Sequence, residues 1–396
     1  MGKLKDNLIV KLFLGVIIGL IVGLTASKGV ITVIVTAKYI FGQIIFYCVP
    51  LVIIGFISPA IIKMRSNASK MLGAALAISY VSSVGAATFS AISGYSIIPH
   101  LSISNNAEGL KELPEILFKL DIPPIMTVMT ALVTAIIIGL ATAWTNSDLV
   151  EKLFDQFQNI TLSIVSRIVI PILPFFVGTT FAALAYEGGI TKQLPIFLIV
   201  ILIVIVGHLI WLALLYLIGG AISKKNPIEV IRHYGPAYLT AIGTMSSAAT
   251  LPVSLKCAHK SKVLRKDMVD FAVPLCANIH LCGSVLTEVF FVMTVSKVVY
   301  GTLPPVSSMI QFIILLGIFA IGAPGVPGGT VMASLGLITS ILGFNDSAIA
   351  LVLTIFALQD SFGTACNVTG DGAITLMLTG LVERNPYFKH EETIEA

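Results

Sequence analysis

Charge is scarce in this chain. Of its 396 residues only 11% are charged, against 56% hydrophobic, whereas a water-soluble domain carries about 25% charged residues. That deficit excludes a soluble globular protein and a disordered one alike, and places the chain among polytopic membrane proteins. Cysteine is sparse too: Cys48, Cys257, Cys276, Cys282 and Cys366 are an odd set, mostly in apolar segments and without the spacing of a secreted disulfide framework, so free thiols are expected. Cys276, His280 and Cys282 can be drawn as a soft-metal site, but buried cysteine ordinarily behaves as a small hydrophobe. The net charge of +4 comes from basic residues in short loops, not from a patch interleaved with aromatics, which gives nucleic-acid binding no support.

What is present is one apolar run after another. The first, Leu8 to Thr25, follows "MGKLKDN" as a signal peptide would, but no small-residue cleavage site succeeds it, so it reads as a retained span. Runs long enough to cross a bilayer, about 20 residues, lie near 8–26, 31–62, 70–98, 124–145, 158–186 and 193–222, with long helices near 265–300 and 346–383. The expected fold is therefore an all-α integral membrane protein with eight transmembrane helices. Two segments depart from the pattern because small residues and proline break them: "GTMSSAATLPVSL", 243–255, and "IGAPGVPGGT", 321–330.

Loop charge tests what those segments do, because Lys and Arg concentrate on the cytoplasmic side. Lys3 and Lys5 put the N-terminus inside, and Lys63, Arg65 and Lys70 return inside two spans later. The loop 99–123, where Glu108, Glu112, Glu115 and Asp121 face Lys111 and Lys119, falls outside by parity. The loop 146–157 gets no help from charge. Lys224, Lys225 and Arg232 then precede 243–255, and Lys256, Lys260, Lys262, Arg265 and Lys266 follow it. A segment that crossed once would leave one basic cluster outside; one that enters and returns keeps both inside. A re-entrant hairpin with its tip near Ser246–Pro252 satisfies the charges, and a second over 307–345 dips in from the opposite face. Broken segments in corresponding halves make an inverted repeat and point to a transporter's binding site, a rule drawn in part from the family named below. Non-helical backbone at membrane depth lines a cavity or is buried in protein; the alternative is a pair of kinked, closely packed helices.

The chemistry concentrates in "DSFGTACNVTGDG", 360–372. On a helix Asp360, Thr364, Asn367 and Asp371 share one face over about 16 Å. An ionisable group at bilayer depth costs at least about 2.5 kcal/mol, so such residues face the protein interior and mark an ion or substrate path, or else bond a neighbouring helix. Carboxylate, amide and carbonyl oxygens are hard ligands suited to Na+ or an ammonium group, and the glycines of "NVTGDG" are expected to loosen the helix and free carbonyls. The long helix near 265–300 has its own interruption, "PLCANIHLCGS", 274–284, with Pro274, Asn278, His280 and Gly283; counted along a helix, His280 lies about 80° from Glu288, close enough to serve one cavity. Both are candidate proton carriers, with a packing role for His280 as the alternative.

"SSAATLP" at 246–252, "GVPGG" at 325–329 and "NVTGD" at 367–371, with "VPLVI" at 49–53 and "LGVIIGLIVG" in the first span, resemble the dicarboxylate/amino acid:cation symporter family, the glutamate-transporter homologues. The resemblance implies an elevator-type homotrimer in the cell membrane, with N- and C-termini cytoplasmic. Residues 1–66 and 124–190 would form the scaffold and trimerisation helices. Residues 67–98 and 191–390 would form a transport domain with hairpins near 226–258 and 307–345. By motif, Asp360 would hold the substrate's amino group and Asn367 its α-carboxylate region, with Thr364, Gly363, Ser246, Ser247 and Val326 completing the pocket. Asp371 with the backbone of Cys276, His280 and Asn367 would form a first Na+ site. Carbonyls of Asn278, Leu281, Ala320, Ile321 and Ala323 would form a second.

The departures narrow the function. Members that carry acidic amino acids place an arginine three residues after the substrate aspartate or just before the first hairpin's serines; here those places hold Gly363 and Met245, and neither replaces a bidentate guanidinium. The motif N-M-D-G-T reads "HLCGS", 280–284, so a third Na+ site loses its aspartate to Cys282. Glu288 falls where proton-coupled relatives have a glutamate. The expectation is a symporter importing a small, neutral amino acid with fewer Na+ ions or with H+, using no organic cofactor and no nucleic acid partner. The alternatives are an acidic amino acid or dicarboxylate carrier with a different side-chain site, a binding-only sensor, or an intramembrane Ser/His/Asp enzyme.

Overall fold

Backbone amides in lipid have no water to bond, so an apolar chain at that depth satisfies them within its own helices. The computed structural model describes residues 8–65, 70–101, 112–188, 190–323 and 325–384. Lys3, Lys5, Glu108 and Lys111, and the transport-domain range beyond 384, lie outside the described residues. In order the helices are α1 (Leu8–Thr25), α2 (Lys28–Arg65), α3 (Lys70–Ile97), α4 (Val128–Thr145), α5 (Asp148–Ile164), α6 (Ile170–Glu187) and α7 (Ile190–Ser223). They continue as α8 (Ile228–Ile231), α9 (Gly235–Thr244), α10 (Ser247–Ala258), α11 (Lys266–Ile279), α12 (Cys282–Tyr300), α13 (Val306–Gly322), α14 (Gly329–Leu342) and α15 (Asp346–Arg384). No strand occurs among the described residues.

Among the described residues six stretches are long and apolar enough to cross a membrane: Lys28–Pro59, Met71–His100, Asp148–Glu187, Pro195–Ser223, Lys266–Tyr300 and Asp346–Arg384. The other two expected spans, α1 and α4, are helices of 18 residues each. The expected loop at 146–157 is instead mostly helix. Asp148 and Glu151 stand in the first turn of α5, where carboxylates favour the positive end of the helix dipole, and a π-turn over Val165–Val169 carries the chain into α6.

Two packing groups emerge. α1 lies along α6, and α2 lies along α4 and α6; separately, α12 and α15 pack on each other and are surrounded by α3, α7, α9 and α11. In the most apolar windows of Lys266–Tyr300 and Asp346–Arg384, 89% of residues are buried, against 33% for Pro195–Ser223. α12 and α15 are therefore the centre of the second group and α7 its rim, which puts the polar stripe of 360–372 inside protein.

Both broken segments form helix pairs. α9 and α10 meet at Met245, whose φ of 53° is left-handed, and Ser246. α13 and α14 are separated by 323–328. The base of the first pair is tied down by Glu229 on α8, which accepts from Ser261 Oγ at 2.5 Å, from the Lys262 N–H at 3.1 Å and from Arg232 at 2.8 Å.

The structure corrects two readings of local geometry. The chain breaks at His280 and Leu281, between α11 and α12 and inside the interruption expected at 274–284, with His280 extended at φ −116° and ψ 92°. His280 and Glu288 therefore do not share a helical face. α15 runs unbroken through all 39 residues, so the glycines of "NVTGDG" do not loosen it. They admit neighbours instead: a Cβ on Gly370 would lie 2.8 Å from His280 Cε1.

Candidate functional site

The site is built on α15, where Asp360, Thr364, Asn367 and Asp371 are all buried. The two helix-pair tips meet above Asp360. Ser246 Oγ caps α10 by accepting the Ala249 N–H at 3.2 Å, and donates to the Gly325 carbonyl of the other tip at 2.7 Å. The Ala248 N–H reaches the same carbonyl at 3.4 Å, beside the buried Ser247. The Gly328 N–H donates to Asp360 Oδ2 at 2.7 Å. Gly328 has φ 71°, a conformation glycine adopts without penalty, and this aims its amide at the carboxylate. The Val326 carbonyl accepts the Gly329 N–H at 2.9 Å and closes the second tip's turn. Polar groups from three elements thus converge on one buried point, each engaged by another part of the protein.

Gly363 follows Asp360 by three residues on α15. A Cβ there would stand 3.4 Å from Thr287 Oγ1 and 3.5 Å from the Ser284 backbone, so this position faces α12 at ordinary contact distance. The missing positive charge remains: among the residues whose side chains are described, no lysine or arginine is buried, whereas Asp360, Asp371, Glu288, His280 and His208 are.

Asn367 secures the broken helix. Its Oδ1 accepts the N–H groups of Gly283 at 2.7 Å and Ser284 at 3.2 Å, and its Nδ2 donates to Ser284 Oγ at 2.9 Å. The first N–H groups of α12 have no partners within the helix, and a side chain on α15 supplies one. Asp371 Oδ1 lies 3.0 Å from His280 Nδ1, and His280 Nε2 lies 2.9 Å from Ser82 Oγ on α3. One proton joins the imidazole Nδ1 to the Asp371 carboxyl, and Nε2 meets the Ser82 hydroxyl, so both ring nitrogens are engaged. The Cys276 carbonyl accepts the His280 N–H at 2.9 Å. No trio of His, Cys, Asp and Glu side chains is gathered to hold a metal among the described residues, so Cys276, His280 and Cys282 are not brought together as a soft-metal site.

The five carbonyls of the second expected ion site belong to two helix ends. Asn278 and Leu281 flank the end of α11, and Ala320, Ile321 and Ala323 mark the end of α13; these two helices pack on each other. Last-turn carbonyls lack partners inside their own helix and carry the negative end of its dipole. Leu281 is partly engaged, since its carbonyl accepts the Val285 N–H at 3.0 Å. Glu288 points elsewhere: Ser334 on α14 donates to its Oε1, and Oε2 has no partner among the described residues.

A further cluster escaped the sequence reading. His208 Nε2 on α7 lies 3.0 Å from the Gly283 carbonyl and 3.0 Å from Thr287 Oγ1, which donates to Gln359 Oε1 at 2.8 Å. It braces the first turn of α12 from α7, as Asn367 does from α15. The signal was available, because a histidine inside "VIVGHLIWL" is an ionisable group at bilayer depth.

Residues 8–381 match the family described as "Sodium:dicarboxylate symporter family". The chain is 27% identical to "Excitatory amino acid transporter 2" of Mus musculus over 228 residues, 56% of this chain and 39% of that protein. It is 27% identical to "Neutral amino acid transporter B(0)" of Homo sapiens over 265 residues, 65% of this chain and 48% of that one. With "Excitatory amino acid transporter 3" of Bos taurus it shares 29% over 266 residues, again 65% and 48%. The matched stretch spans less than half the length of these relatives. The match to the family model instead runs through every element that builds the site, from α1 to the last turns of α15. The chain belongs to the sodium:dicarboxylate symporter family, whose members are transporters.

Proposed function

We propose that this protein is a Na+-coupled symporter for a small neutral amino acid, bound where the two tips meet over Asp360. The observation that carries the reading is the charge inventory of that point. A buried carboxylate, Asp360, stands beneath serine hydroxyls and tip amides, and no lysine or arginine is buried among the residues whose side chains are described. Asp360 suits a substrate ammonium group. Ser246, Ser247 and the Gly328 N–H suit an α-carboxylate, which would displace the contacts the tips make with one another. A second carboxylate on the substrate would enter without a cation to meet it, a cost of several kcal/mol.

Na+ is the coupling ion in this reading, and the carbonyls at the ends of α11 and α13 are its ligands. An ion there would stabilise the α13–α14 tip in its closed position and so link ion binding to substrate binding. Glu288, buried with one free carboxylate oxygen, is the proton carrier if H+ is also moved. The two packing groups support a division into a scaffold, α1, α2 and α4–α6, and a moving body holding the site. We assign the motion to an elevator slide of that body in a homotrimer, in the cell membrane with both termini cytoplasmic, the two helix pairs acting as re-entrant hairpins among eight spans.

The test is uptake of labelled serine, threonine, alanine and aspartate into proteoliposomes under an inward Na+ gradient. Uptake of one or more neutral amino acids above aspartate is expected. A strong preference for aspartate overturns the reading.

A further inference from the structure

His280 stands between Asp371 and any ion that would use that carboxylate. Both ring nitrogens are engaged, by Asp371 at 3.0 Å and Ser82 at 2.9 Å, and the ring is fully buried. The cavity is shaped to it: a Cβ on Gly370 would meet His280 Cε1 at 2.8 Å and Cys282 Sγ at 3.3 Å. A ring bound by two elements and packed against a third is a fixture of the folded chain.

The donor set that would hold Na+ here is committed elsewhere. The Asp371 carboxylate takes the imidazole, and the Cys276 carbonyl takes the His280 N–H at 2.9 Å. The Asn367 amide oxygen takes two N–H groups of α12. The Asn367 carbonyl lies within the unbroken α15, where the helical ladder uses it. Beside the ring stands the Cys282 sulfur, a soft group where sodium requires hard oxygens. A buried carboxyl must be hydrogen-bonded or neutralised, and here the imidazole takes that place without an ion.

We propose that His280 closes the Asp371 site to sodium. The imidazole N–H stands in for a cation at that carboxylate, and ion coupling is left to the carbonyl site between the ends of α11 and α13. The proposal rests on the Na+-coupled reading given above, and it makes His280 and Cys282 the residues that set the ion requirement of this chain.

The test measures Na+ binding without substrate. Purified full-length protein is melted in NaCl against choline chloride at constant ionic strength, for the wild type, Asp371→Asn and His280→Asn. Asp371→Asn keeps a hydrogen-bonding partner for the ring, and is expected to leave the Na+ midpoint within about twofold of the wild type. His280→Asn removes the ring and supplies an amide, and is expected to add a second Na+-dependent rise in melting temperature. A midpoint weakened about tenfold or more in Asp371→Asn, with a melting temperature in choline close to that of the wild type, overturns the proposal. If Asp371→Asn does not fold, His280→Asn decides alone, and an unchanged Na+ response in it overturns the proposal. A wild type without any Na+ response refutes the coupling ion of the functional reading instead, and the closed site then stands or falls on whether His280→Asn gains one.

Discussion

Replacing Asn367 by alanine separates two roles for the same residue, ligand for substrate or ion and cap for the broken helix. The side chain satisfies two backbone N–H groups of α12, at 2.7 and 3.2 Å, and donates to Ser284 Oγ at 2.9 Å. Each buried N–H left without an acceptor costs about 1–3 kcal/mol. Ser284 can rotate its freed hydroxyl to cover part of the loss, so a net destabilisation of about 2–4 kcal/mol is expected for Asn367→Ala. For a cooperative unit of roughly 200 residues that lowers the melting temperature by about 4–16 °C. The assay is built into the chain, because Cys48, Cys257, Cys276, Cys282 and Cys366 are free and buried, so a thiol-reactive fluorophore reports unfolding. Asn367→Asp keeps an acceptor at the positive end of α12 and is expected to lose much less. If Asn367→Ala melts within about 1 °C of the wild type while substrate binding is abolished, the capping role is refuted and the residue acts only as a ligand.

Two further outcomes follow. Glu229 would be pushed up by desolvation, yet bonds from Ser261, the Lys262 N–H, His233 and Arg232 prevail and hold its carboxyl at about 2 instead of 4.5. A carboxyl whose folded pKa is depressed stabilises fully above its unfolded pKa and loses that contribution as pH falls through the folded one. Glu229→Gln is therefore expected to cost about 1–2 kcal/mol at pH 7, discounted for its place at the aqueous boundary, and the gap from the wild type narrows as melts are repeated below pH 4.5. A gap independent of pH would assign its effect to packing. For Glu288→Gln, which keeps the acceptor toward Ser334, the expected result is uptake that no longer varies with pH in the range where the wild type does. An unchanged pH profile removes Glu288 as a proton carrier.

The long apolar helices were legible because lipid leaves an apolar run one conformation, and six of the eight expected runs coincide with stretches long and apolar enough to cross a membrane among the described residues. The breaks were legible only coarsely. Proline was a poor guide to where a helix stops: Pro50 and Pro59 lie within α2, Pro252 within α10 and Pro274 within α11. Neighbouring helices in a packed bundle resatisfy the backbone groups that proline frees. The break that matters, at His280 and Leu281, carries neither glycine nor proline. Its cause is tertiary, since Asn367 and His208 receive the freed end of α12 from two other helices. The start of α5 was lost for a different reason: its acidic first turn read as loop charge, though carboxylates at that position favour a helix.

Which residues matter was therefore easier to read than what they touch. A polar side chain in an apolar run announces itself wherever it lies, and Asp360, Asn367, Asp371, His280 and Glu288 were all visible. Their partners were not, because pairing depends on the fold: His280 meets Ser82 across 198 positions and Asp371 across 91. Gly363 shows the same limit: in the fold it lies against Ser284 and Thr287 on α12, where a Cβ would make ordinary contact, and the sequence did not name these neighbours. The expectation of a neutral substrate therefore rests on the lack of a buried cation around Asp360 rather than on space at Gly363.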